Sequence, residues 1–239
     1  MNRNYVGFFN CTTKETLRSF KEELLEYPKD CQELLMRSRR FVSGEYLFDN
    51  EWDMERTHES VHWQLAEIQW GVSPNNDPEW NYMLNRHRFL VDIGLAYLLT
   101  EEESYKKYLV DFLQAFMDHN PLNEQTKNYS WRTIDVGLRV IHWLKLLEIH
   151  RHLSLFTPEF VQRMEEEISH HAKYLYDHLS IERGQSNWQV LEIAGLYSIS
   201  LAYPEWAAAK DWRTASLFYL EESLALQVEE DGMLREQSF

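Results

Sequence analysis

Residues 185–204 read QSNWQVLEIAGLYSISLAYP: a polar start, a long apolar run and a proline stop. The run is too long for an ordinary strand and reads as a buried helix. Ser186 with Gln189 three residues on has the form of a capping box, which makes Ser186 the N-cap and Asn187 the first helical residue. Tyr203-Pro204 ends the element. On that helix Asn187 heads a stripe of Leu191, Ala194, Ser198 and Leu201, so its amide is expected to point toward the interior or a cleft. A helix start offers free N–H groups and a partial positive charge. An asparagine there can hydrogen-bond a carboxylate and stabilise negative charge developing on it. The plainer alternative is that Asn187 only completes the cap.

The same 3.6-residue period runs through most of the 239 residues. It predicts helices over about 81–99, 102–118, 130–154, 158–179 and 212–228 besides 187–202, and two modest ones within about 13–40, broken near Tyr27-Pro28. Thr157-Pro158 reads as an N-cap followed by proline at the first helical position. Residues 41–80 look irregular, with the turn signals SPNNDPEW, and strand alternation is nowhere sustained. With 8 glycines and 6 prolines the chain has little material for the tight turns of an all-β fold. The expected architecture is therefore all-α, an incomplete α/α toroid of antiparallel helical hairpins. It is read as one helical domain over 1–239, with an N-terminal helical segment (1–44) and an irregular segment (45–80).

The formal net charge is −15, from 24 basic and 39 acidic residues, and no lysine cluster exists to neutralise phosphates. No nucleic acid is expected as a partner. Cys11 and Cys31 suggest neither a disulfide framework nor a metal cluster. The start, MNRNYVGFF, lacks a long apolar stretch, and no segment has 18 uninterrupted apolar residues. The expectation is a cytoplasmic chain with no membrane partner, secretion staying open if the native N-terminus differs. Nine tryptophans suit either sugar stacking or a large helical core.

In NYMLNRHRFLVDIGLAYLL (81–99), Tyr82, Arg86, Phe89 and Ile93 share one stripe, and Asn81, Asn85, Arg88 and Asp92 another. Arg88 is expected to be solvated and paired with Asp92. Arg86 shares the apolar face, where its charge requires a partner or a ligand; His87 lies beside Met83 and Leu90. In YSWRTIDVGLRVIHWLKLL (129–147), Arg132, Val136, Arg139 and Trp143 share a face, with Asp135 placed to bridge Arg132 and Arg139. An ion-pair ladder and a guanidinium pair beside an indole, suited to an acidic sugar, both fit that spacing. His58-Glu59-Ser60-Val61-His62 is a formal H-E-x-x-H, which on a helix would set both histidines around zinc with Glu59 as base. The glycine and third histidine of the longer metalloprotease pattern are missing from WQLAEIQW, so a chance match is preferred and no cofactor is expected.

Taken in order, FDNEWDMERT (48–57), NNDPEWNYMLNRHRFLVDIGLAYLLTEEESYKKYLVDFLQAFMDHNP, SWRTIDVGLRVIHWLKLL, HHAKYLYDHLS, SNWQVLEIAGLYSISLAYPEWAAAKDW and LEESLALQVEEDGMLREQS resemble the heparinase II/III-like polysaccharide lyases over residues 45–238. The resemblance implies an α/α toroid followed by a β-sandwich domain, and cleavage of uronate-containing polysaccharide or oligosaccharide, such as a glycosaminoglycan or alginate, by β-elimination. It implies that Asn187 neutralises the uronate carboxylate, in what is usually an Asn-His pair at a helix start; here Trp188 stands where the histidine is usual. A tyrosine acting as acid and often base, and a histidine of the second domain, complete that chemistry. The tyrosine normally follows a DG…EQS segment closely, which here is Asp231-Gly232 to Glu236-Gln237-Ser238, just before Phe239. The expectation is thus a chain cut short: the substrate-binding half of a lyase, inactive alone, whose missing partner is the β-sandwich of the same protein. Arg86, His87, Trp131, Arg139, Trp188, Glu236 and Gln237 are expected at the substrate. The alternatives are a non-catalytic helical module binding carbohydrate or protein, and a zinc peptidase through His58, Glu59 and His62.

Overall fold

A computed structural model describes residues 14–51, 53 and 56–235. Its helices are α1 (Lys14–Leu25), α2 (Pro28–Val42), α3 (Pro78–Arg86), α4 (Arg88–Thr100), α5 (Glu103–His119), α6 (Thr133–Leu153), α7 (Pro158–His178), α8 (Asn187–Ala202) and α9 (Ala209–Gln227). The region between α2 and α3 holds a short antiparallel ribbon of β1 (Glu45–Tyr46) and β2 (Val61–His62). The all-α fold read from the periodicity is what forms. Among the described residues no helix is long and apolar enough to cross a membrane.

The helix ends follow local chemistry. Pro158 opens α7 and Thr157 Oγ1 accepts the Phe160 N–H at 3.3 Å, one of the donors that a helix start leaves without an internal partner. The predicted capping box is only half present. Ser186 Oγ accepts the Trp188 N–H at 3.2 Å, but Gln189 does not reach back to it. Gln189 is buried instead, its amide oxygen accepting from the Ser180 N–H and its nitrogen donating to Ser223 Oγ.

The predicted helix over 81–99 is two helices. His87 sits between α3 and α4 with φ 62° and ψ 18°, a left-handed conformation that costs a non-glycine residue about 1 kcal/mol. Tertiary packing holds it there. The imidazole is fully buried, its Nδ1 accepts the Trp143 indole N–H at 2.9 Å, and the edges and faces of Phe112 and Phe116 close around it.

α2, α4, α6 and α8 pack side by side as an inner row, and α5, α7 and α9 each pack behind the inner helix that precedes them. This is the hairpin succession of an open α/α toroid. α4 and α8 are apolar on nearly every side because both their flanks and their backs are covered. α4, α6 and α8 run parallel, whereas α2 runs against α4, its Phe41 meeting Phe89 and its Arg37 meeting Asp92. Along α6, Asp135 meets Arg86 and Trp143 meets His87, while Leu146 lies against Gly94. The α6–α8 seam is backbone against backbone: a Cβ on Gly195 would lie 2.7 Å from Gly137 Cα, and one on Gly137 would lie 2.8 Å from the Leu191 carbonyl oxygen.

Candidate functional site

Because α6 and α8 run parallel and touch, their N-terminal ends lie together, and α3 adds its last two turns beside them. Arg132, the N-cap of α6, is the centre of this cluster. Its guanidinium carbon lies 3.3 Å from the ring centroid of Tyr82 and 5.1 Å from that of Trp188. The cation thus lies within cation–π range of two aromatic rings, an arrangement favoured by the ring quadrupoles. Trp188 stays 45% exposed, an unusual state for a tryptophan in the first turn of a helix whose other faces are packed. Asn187 is exposed beside it at the first position of α8.

Two clamps fix the turn that carries these residues. Arg183 donates to the His178 carbonyl at 2.8 Å, to Thr133 Oγ1 at 2.9 Å and to Glu192 Oε1 at 2.6 Å, so it ties the turn to α6, α7 and α8 at once. Gln227 of α9 donates to the carbonyls of Gly184 and Ser186, at 2.7 and 3.1 Å.

Beneath the surface lies a buried charge cluster. Arg86 donates from Nε to Asp135 Oδ1 at 2.8 Å, and Arg132 Nη1 approaches Asp135 Oδ2 to 3.4 Å. Burial pushes the Asp135 carboxyl upward; the charges of Arg86, Arg132 and Arg139 pull it down by less. Arg139 has no share in the ion pair that spacing predicted. Its Nε donates to His171 Nε2 at 3.0 Å and Nη1 to the Asn85 carbonyl at 2.8 Å, with the guanidinium over Phe116, and burial brings its pKa down to about 9. His171 accepts at Nε2 and faces the Glu167 carbonyl with Nδ1, so it is neutral, and burial holds its pKa well below the usual range.

The structure therefore sorts the residues singled out from the sequence. It brings Asn187 and Trp188 together at the surface. Arg86 lies under them, its guanidinium used by Asp135. His87, Trp131 and Arg139 are core side chains: Trp131 is buried, donates its indole N–H to the Asn120 carbonyl at 2.8 Å and packs on His171 and Tyr174. They present no surface to a ligand. Glu236 and Gln237 lie outside the described residues. Arg88 pairs with Asp92 at 3.2 Å as expected, and also with Asp53 at 3.5 Å, but is half-buried rather than solvated. The residues that sequence reasoning left out of the site are Tyr82, Arg132 and Arg183. Arg132 was legible as one rung of a ladder with Asp135 or as half of a guanidinium pair with Arg139 suited to an acidic sugar, but not as a partner of Tyr82 and Trp188.

The H-E-x-x-H match does not form a zinc site. Residues 58–60 are irregular and Val61–His62 is strand β2, so no helix brings the two histidines onto one face. In extended chain their Cα atoms are about 13 Å apart. Among the described residues no group of three or more His, Cys, Asp or Glu is arranged to hold a metal ion.

Comparison with known proteins gives a consistent picture. The family described as the heparinase II/III N-terminus matches residues 15–239. A heparin-sulfate lyase of Bacteroides thetaiotaomicron is 26% identical over 173 residues, which is 72% of this chain and 24% of the relative. That of Pedobacter heparinus is 25% identical over 174 residues, 72% of this chain and 26% of the relative. Among solved structures, heparan sulfate lyase HepC from Pedobacter heparinus superposes with a TM-score of 0.70 at 21% identity, covering 86% of this chain and 31% of that one. A heparinase III structure gives 0.66 at 23%, covering 72% and 26%. At such identities the structural likeness speaks for the fold. The chain spans about a quarter of the length of the curated relatives it matches.

Proposed function

The chain belongs to the heparinase II/III N-terminal family, and from that premise we propose that it is the helical, substrate-binding part of a polysaccharide lyase in which Asn187 neutralises a uronate carboxylate. The reaction is β-elimination. The C–H bond α to the carboxylate breaks, its electron pair becomes the new C=C bond, and the glycosidic C–O bond β to the carboxylate breaks as its oxygen takes a proton. Ionised, the carboxylate opposes the charge that builds up on it when the proton leaves. Donors fixed in place at that oxygen before the reaction lower the barrier.

One observation carries this reading. Asn187 is exposed at the N-terminal end of α8, where the helix carries a partial positive charge, and the Arg132 guanidinium lies 5.1 Å from the ring of its neighbour Trp188. An amide donor at a positive helix end beside an arginine suits an incoming carboxylate. The heparin-sulfate lyases among the relatives support a uronate-containing glycosaminoglycan as the substrate. In this reading proton transfer belongs to the tyrosine and histidine that the family resemblance implies, and none of the residues around Asn187 is assigned that task.

The test uses the full-length protein and the ultraviolet absorbance of the unsaturated uronate product. Asn187→Ala is expected to lower kcat by about 100-fold or more, the cost of one oxyanion-type donor. If no uronate polysaccharide in a broad panel yields product, the lyase reading falls. Tight binding without product would then leave a carbohydrate-binding module.

A further inference from the structure

Trp188 is 45% exposed, and the Arg132 guanidinium lies 5.1 Å from its ring centroid. Arg132 is in turn ordered from below by Tyr82, 3.3 Å from its ring centroid, and from the side by Asp135. Both rings thus lie against the one guanidinium. This has two consequences. First, the indole is held in place before any ligand arrives, so binding to it costs little side-chain entropy. Second, a guanidinium resting on an aromatic ring keeps its in-plane N–H donors for hydrogen bonds, the geometry suited to a carboxylate. The Arg132 side chain remains 17% exposed, with Nη1 buried on the Asp135 side.

We propose that Trp188, Arg132 and Tyr82 form a subsite for an acidic oligosaccharide: the exposed indole stacks a pyranose ring, and Arg132, held against Tyr82 and near the indole, takes the carboxylate carried by that sugar or its neighbour. The subsite rests on the uronate reading given above and adds its recognition element. Trp188 supplies affinity for the ring, Arg132 discrimination for the charge, and Tyr82 acts only by positioning Arg132.

The experiment is calorimetric titration of the full-length protein, in an Asn187→Ala background to suppress turnover. The two probes are an unsulfated glucuronate–N-acetylglucosamine oligosaccharide and its carboxyl-reduced form. Trp188→Ala should weaken both probes by about ten-fold, whereas Trp188→Phe, which keeps a stacking face, should stay within about three-fold. Arg132→Met should weaken the acidic probe by about ten-fold and leave the reduced one nearly unchanged. Tyr82→Phe should behave as the parent. Trp188 is exposed, so a native circular-dichroism spectrum is expected for its variants. Unchanged binding in Trp188→Ala, or equal loss for both probes in Arg132→Met, overturns the subsite. Product formation by the wild-type protein, followed in parallel, separates the two ideas. Turnover with Trp188→Ala binding like its parent removes the subsite alone, and binding as described without turnover removes the lyase reading alone. A parent that binds neither probe removes the subsite.

Discussion

Asp135 is the counter-charge for two guanidiniums at once, Arg86 at 2.8 Å and Arg132 at 3.4 Å, and it is fully buried. Removing one partner of a buried pair strands the other charge in a medium that solvates it poorly, at a cost of about 3–5 kcal/mol. Asp135→Ala is therefore expected to lower stability by about that amount in urea unfolding. Arg86→Met combined with Asp135→Leu should recover most of the loss, because it replaces the pair with apolar volume and leaves Arg132 to Tyr82 and solvent. A midpoint for Asp135→Ala close to wild type would show that Arg86 finds another partner. That Arg86 needs a partner was legible in the sequence, since it shares a stripe with Phe89 and Ile93. Which partner was not, because Asp135 lies 49 positions away. The same gap explains His87, Trp131 and Arg139. A helical stripe says that a side chain faces something; here that something is Phe116 of α5 and His171 of α7, which seal the cluster. Periodicity within one helix carries no record of its neighbours.

At the level of elements, most boundaries were legible because they rest on local signals such as Thr157-Pro158 and Tyr203-Pro204, and α8 spans the 187–202 expected for it. The break at His87 was not, since neither glycine nor proline marks it and burial of the imidazole among aromatic rings imposes it. The other unread feature is the seam between α6 and α8, where Gly137 and Gly195 let the backbones meet. This seam sets the distance between the helix start carrying Arg132 and the one carrying Asn187 and Trp188. Gly195→Ala gains about 1 kcal/mol in helix propensity. The new methyl would nevertheless sit 2.7 Å from Gly137 backbone atoms, which cannot rotate aside. The net expectation is a loss of about 2–3 kcal/mol, with reduced kcat/KM as the two starts move apart. Gly94→Ala is the control. Its methyl would meet only the ends of the Leu146 and Ile149 side chains, at 3.0 and 3.2 Å, which can yield. If thermal unfolding shows Gly195→Ala tolerated as well as Gly94→Ala, the seam does not set the spacing.

For the whole molecule, the packing that closes the inner row also fixes its response to acid. His87 and His171 are buried neutral, with pKa values well below the usual range, and His142, partly covered, is pushed down to about 3. Burial is the largest cause in each case, and nearby cations add to it: Arg139 for His87 and His171, and Lys145, Arg88 and Arg86 for His142. Below the ordinary imidazole pKa the unfolded chain therefore takes up protons that the folded chain refuses, and stability falls as pH drops. Each such group contributes up to about 1.4 kcal/mol per pH unit. Two carboxyls act in the opposite sense. Burial raises Asp53 to about 6 and also raises Asp135, so these protonate in the folded state first and favour it as pH falls. With the three histidines outweighing them, the melting temperature is expected to decline from neutral pH toward pH ~5. His142→Asn isolates one proton. The asparagine amide can replace Nδ1–H as donor to the Arg86 carbonyl, a bond of 2.7 Å, but it does not titrate. Its stability curve should be flatter than wild type by about 1.4 kcal/mol per pH unit below pH ~6. Parallel curves for the two proteins would mean that His142 takes up its proton as readily folded as unfolded, so that burial does not hold it neutral.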